Sequence, residues 1–128
     1  MTTPKSAALP ITAELVLEVF DAPITFHRCL VTITGSVSAA LMLSQAITWT
    51  EDLEPHAHSW FTKSTAEWTE QTGLSRWEQE TARKILRDLE LLDERISGIP
   101  ARLWFRVNRR ALGTALSEAA QHRAASLN

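Results

Sequence analysis

The chain has 128 residues, 45% of them apolar and 22% charged, with a formal net charge of −2 and a pI near 6.1. This supports one hydrophobic core and excludes a disordered chain. The lone cysteine, Cys29, excludes an internal disulfide, and the longest apolar run, residues 39–43, is too short to cross a membrane. MTTPKSAALP lacks the basic-then-apolar order of a secretion signal, so the expected location is the cytoplasm.

Residues 1–10 read as a flexible tail. Residues 12–20 form a short helix with Leu15, Val16, Val19 and Phe20 as its apolar contacts, and Asp21-Ala22-Pro23 ends it. Residues 24–34 hold β-branched side chains suited to a strand, yet Phe26, Leu30 and Ile33 fall at helical spacing. A helix is the reading adopted. Gly35 stops it, and Ser36 caps the next helix, 37–50. The predicted buried face there is Val37, Ala40, Leu41, Ser44 and Ile47. Residues 51–59, EDLEPHAHS, form a polar loop, and Trp60-Phe61-Thr62 one short strand.

Ser64-Thr65-Ala66-Glu67 is a capping-box pattern opening a helix that ends at Gly73. Ser75-Arg76-Trp77-Glu78 repeats it after a turn of only Gly73-Leu74. This second helix runs to residue 91 over a buried stripe of Ala82, Ile85, Leu86 and Leu89. A strand over 93–97 and a strand over 102–107 flank the tip Gly98-Ile99-Pro100-Ala101. Leu103, Phe105 and Val107 alternate there with Arg102, Trp104 and Arg106, the period of a half-buried strand. Asn108 caps a last, Ala-rich helix over 109–123. One domain over 11–123 is predicted, with its centre at 60–107 and a C-terminal tail at 124–128.

Two capped helices joined by a tight Gly turn and followed by a hairpin predict a mainly α fold with a small β-hairpin wing. This is a winged helix-turn-helix with additional N- and C-terminal helices. An α-helix fits the DNA major groove, and Arg and Gln each make two hydrogen bonds to a purine edge. The second helix offers Arg76, Gln79, Glu80, Arg83, Lys84 and Arg87 on its polar face, with Ser75 at its start. Trp77 either stacks on DNA sugars or packs against the neighbouring helix. Ser64 and Thr65 start a helix whose amides suit a phosphate. Arg95 and Arg102 flank the wing tip, placed for a backbone or minor groove. Basic residues gather between 76 and 110, although acids are interleaved and the whole chain is acidic.

The stretch KSTAEWTEQTGLSRWEQETARKILRDLELLDERISGIPARLWFRVN resembles the winged-helix domain of phage and plasmid replication-associated proteins. The upstream FHRCLVTITGSVSAALMLSQAITW is similar to the helices that precede it there, so the resemblance spans about residues 21–112. It implies binding of double-stranded DNA through residues 75–91 and a wing tip at 98–102. Family members often carry further segments that recruit replication proteins. The short remainder here points instead to a transcriptional regulator or replication accessory factor.

Plainer readings stand beside these. Arg83, Lys84 and Arg87 also suit a solvated face paired with Glu80 and Asp88. Trp60, Trp68 and Trp104 suit a core or an interface. His56-Ala57-His58 beside Asp52 and Glu54 has ligand types but no second spaced pair, so no functional metal is expected. Cys29 suits packing as a small apolar group. No phosphate loop or nucleophile elbow is present, so no enzyme and no cofactor are expected. The alternative function is a protein–protein interaction module on the same fold. A homodimer is expected, through residues 12–20 and a stripe of Ala111, Leu112, Ala115, Leu116, Ala119 and Ala120.

Overall fold

Residues 37–51, VSAALMLSQAITWTE, are apolar nearly all round, and a helix of that kind belongs in a core. A computed structural model, which describes residues 10–20, 22–54 and 57–127, places it there. The elements in order are α1 (Ala13–Phe20), α2 (Arg28–Thr34), α3 (Val37–Glu51) and β1 (Phe61–Thr62). Then come α4 (Thr65–Thr72), α5 (Arg76–Asp88), β2 (Leu92–Ser97), β3 (Arg102–Val107) and α6 (Arg109–Ser126). The fold is mainly α with a small antiparallel sheet. Of the expected tail at residues 1–10, residues 1–9 lie outside the described residues.

Helix α3 packs against α2, α4, α5 and β3. Its buried residues are Ala39, Ala40, Met42, Leu43, Ala46 and Thr50, whereas Val37 is exposed. The predicted face was therefore rotated: neighbours on several sides leave little periodicity to read. Gly35 stops α2 in the left-handed region, at φ 71°, and Ser36 caps α3 by accepting from the Ala39 amide. Helix α2 begins four residues later than expected, at Arg28.

The sheet order is β1-β3-β2, all antiparallel, with Phe61 opposite Phe105 and Leu92 opposite Val107. Its inner face carries Phe61, Leu92, Phe105 and Val107 into the core. Trp49, Phe61, Trp68 and Phe105 form an aromatic cluster, with the Trp49 and Trp68 rings 4.6 Å apart and Trp68 and Phe105 5.4 Å apart, both edge to face. Trp68 is thus a core residue; Trp60 and Trp104 are half-buried.

Helix α5 ends at Asp88, three residues short of the prediction, because Glu90 takes a positive φ of 60° and turns the chain into β2. Leu89, expected in the stripe, is exposed for that reason, while Leu91 and Leu92 are buried in its place. Helix α6 runs to Ser126, so most of the predicted C-terminal tail is helical. No single helix among the described residues is long and apolar enough to cross a membrane.

Candidate nucleic-acid interface

The two capping boxes fix the helix-turn-helix. Ser64 accepts from the Glu67 amide and Glu67 accepts from the Ser64 amide; Ser75 and Glu78 do the same for α5. These reciprocal bonds hold both glutamates below their ordinary pKa, with Lys63 and Arg102 adding to the effect at Glu67. Gly73 closes α4 at φ 76°, a conformation costly for any residue with a Cβ.

A polar knot locks the turn. Gln79 Nε2 donates to Thr65 O (3.1 Å), Thr69 Oγ1 (2.9 Å) and Leu74 O (3.1 Å). Thr69 Oγ1 donates to Leu74 O, and Thr72 Oγ1 accepts from the Leu74 amide. Gln79 is only 3% exposed, so its expected place on the polar face is corrected: it points inward and holds α4 to α5. Thr69 and Thr72 escaped the sequence reading, although a buried stripe of 82 and 86 extends by helical spacing to 79.

Residues from three elements meet in a cleft of about 460 Å³. Ser64 and Thr65 reach it from the start of α4, Gln79 and Arg83 from α5, and Arg102 from β3; Lys63 also lines it. The capping box consumes the Ser64 and Glu67 amides. Those of Thr65 and Ala66 have no partner among the described residues. Trp68 forms part of the wall, and its buried indole Nε1–H has no hydrogen-bond partner among the described residues.

The other predicted residues lie elsewhere. Ser75, Arg76, Trp77, Glu80, Lys84 and Arg87 are exposed along α5. Trp77 is 74% exposed, so of its two expected roles the packing one is corrected. Arg95 sits on the sheet face opposite Glu94. Its guanidinium lies 4.3 Å from the Trp60 ring, with Arg106 at 4.6 Å from the same ring. It therefore lies apart from the cleft.

Every cation of α5 has a carboxylate partner: Lys84 pairs with Asp88, one of the two expected acids, whereas Arg83 and Arg87 pair with neither. Arg76 pairs with Glu80 and Lys84 with Asp88, both at i,i+4. Arg83 turns onto the sheet. Its Nε and Nη2 each donate to Glu94 at 2.8 Å, and Arg87 Nη1 adds a third bond at 3.3 Å. The Glu94 side chain is 10% exposed. Burial pushes its carboxyl up, but the Arg83 hydrogen bonds and the charges of Arg83 and Arg87 outweigh that and hold it below the ordinary value. Arg83 is thus a structural anchor with little left to offer a base. Cys29 is exposed, which corrects its expected packing role.

No group of three metal-ligating side chains occurs among the described residues. His56 lies outside them, and with it the His56-Ala57-His58 pattern. Comparison with known proteins found no matching family model, no matching curated protein and no matching solved structure.

Proposed function

We propose that the chain binds double-stranded DNA and performs no chemistry of its own. Helix α5 lies in the major groove and the β2–β3 wing lies on the backbone. One observation carries the reading: Ser64, Thr65, Arg83 and Arg102, distant in sequence, line one cleft beside the exposed face of α5. Lys63 and Arg102, with the Thr65 and Ala66 amides, suit a backbone phosphate at that cleft. Arg76, Trp77, Glu80 and Lys84 then face the groove.

A regulator or accessory factor of phage or plasmid type, acting in the cytoplasm, is the role this reading extends to. Its partners there are replication or transcription proteins. The pairing of every α5 cation favours the alternative, a protein-interaction module. A duplex titration across salt concentrations separates the two. DNA binding gives an affinity that falls steeply with salt, and Arg102→Ala lowers the slope of log affinity against log salt by about one. An affinity that is salt-independent, or unmeasurable at low salt, favours the interaction module.

A further inference from the structure

Helix α1 buries none of its residues. Val19 and Phe20 are 69% and 76% exposed, and Ile11 and Leu17 are open as well. An eight-residue helix has too few hydrogen bonds to persist in water alone, and this one shows an apolar side with nothing over it. At 100° per residue, Leu15, Val16, Val19 and Phe20 share one side. Glu14 and Glu18 occupy the other, with Glu18 edging the apolar stripe three residues after Leu15. Residues 11–26 hold three acids and no Lys or Arg.

A complementary surface lies between α2 and α6. The groove there has a volume of about 660 Å³. Cys29 of α2 and Leu116, Ala119 and Ala120 of α6 line it, and the small side chains leave room for a helix to approach closely. Arg28 and Arg123 line it too, and neither has a carboxylate within ion-pair distance among the described residues. The groove thus combines small apolar side chains with two arginines, while α1 combines an apolar side with two glutamates.

We infer that α1 of one copy seats its Leu15–Val16–Val19–Phe20 side in the α2–α6 groove of a second copy, and the reverse. The occupant is a second copy because α1 carries the apolar side chains and the two acids, Glu14 and Glu18, that complement the small apolar lining and the Arg28 and Arg123 charges of the groove, and each copy has both parts. The connection over 21–27 spans up to about 23 Å when extended, enough to cross to a partner. Each chain then gives one helix and one groove, the self-complementary arrangement of a two-fold dimer. The inference does not rest on DNA binding, and its tests are made without DNA.

Sedimentation of the full chain over a wide dilution series is expected to show a species of twice the 14.3 kDa chain mass. Phe20→Glu and Leu116→Glu are each expected to raise the dimer dissociation constant by roughly tenfold or more, while the core still unfolds in one cooperative transition. Phe20 is 76% exposed and outside the core cluster, so that variant reports on assembly even where Leu116→Glu disturbs α6. In Val19→Cys, mild oxidation is expected to join the introduced thiol to Cys29 of the other copy, giving a reducible dimer. A monomer at every concentration overturns the inference. So does a dimer indifferent to Phe20→Glu, or an intrachain bond in Val19→Cys.

Discussion

Replacing Glu94 with Gln tests how α5 is held to the wing. The carboxylate accepts two hydrogen bonds from Arg83 at 2.8 Å and one from Arg87 at 3.3 Å while its side chain is 10% exposed. A neutral amide offers one acceptor oxygen and sets an N–H₂ against a guanidinium. Arg83 keeps 27% of its side-chain exposure and Arg87 52%, so water offsets part of the loss. The cost is accordingly about 2 kcal/mol, below the 3–5 kcal/mol typical of a fully buried pair. For a domain of this size that lowers Tm by roughly 8 °C. Calorimetry of the native chain, Glu94→Gln, Arg83→Met and the double variant measures it, and the double variant is expected to lose less than the sum of the singles. The pH dependence has a definite sign. Because the folded carboxyl titrates below the ordinary glutamate value of 4.5, its contribution is present above that pH and fades as pH falls through the lower folded value. In Glu94→Gln that part of the acid destabilisation is absent. Additive single-variant losses, or a Tm unchanged in Glu94→Gln, would refute the anchoring role.

Two further outcomes are expected. Gln79→Leu removes a buried amide group whose two N–H hydrogens are shared among three acceptors, and thermal unfolding is expected to show a loss of about 2 kcal/mol. Trp77→Ala changes an exposed side chain, so stability stays within about 0.5 kcal/mol while duplex affinity falls roughly tenfold by fluorescence anisotropy.

Local chemistry made the boundaries around the turn readable. Ser36, Ser64, Ser75 and Asn108 all accept the amide bonds that their positions predict, because a cap is decided within four residues. The wing was readable for the same reason: Leu103, Phe105 and Val107 alternate with polar or larger residues, and the alternation survives from Trp104 to Val107, where Phe105 and Val107 are buried between half-buried neighbours. Partner choice was not local. Arg83 has Glu80 one helical turn before it, yet it bonds Glu94, eleven residues on, which only the α5–β2 packing brings near. The face of α3 was lost similarly, being fixed by what surrounds the helix, whereas the inward turn of Gln79 follows the spacing of Ala82 and Leu86 and was missed because its side chain is polar. The cleft was half-legible: Ser64, Thr65, Arg83 and Arg102 were marked as candidates, but their meeting needed the β1–β3 pairing.

Pairing of the α5 cations also determines where sequence preference should reside under the proposed function. The Arg76–Glu80 and Lys84–Asp88 pairs are exposed i,i+4 contacts, worth about 0.3–0.5 kcal/mol each, so phosphates displace them readily. Arg83 does not move so easily, since release leaves Glu94 without its partner in a nearly closed site. Once Arg76 turns to a phosphate, Glu80 is left as a bare carboxylate in a groove rich in negative charge. The base edges that answer it are the exocyclic amino groups, cytosine N4 and adenine N6, whereas guanine and thymine leave it unpaired. Glu80 thus disfavours sequences with guanine or thymine at the matching position and tolerates those with cytosine or adenine there. Glu80→Ala is expected to raise affinity for random duplex by roughly tenfold and to flatten the preference at one base pair. Selection from a random duplex pool, run on both proteins, reads the two effects together. A preference unchanged in Glu80→Ala, with random-duplex affinity also unchanged, would place the reading side chains elsewhere than on this face of α5.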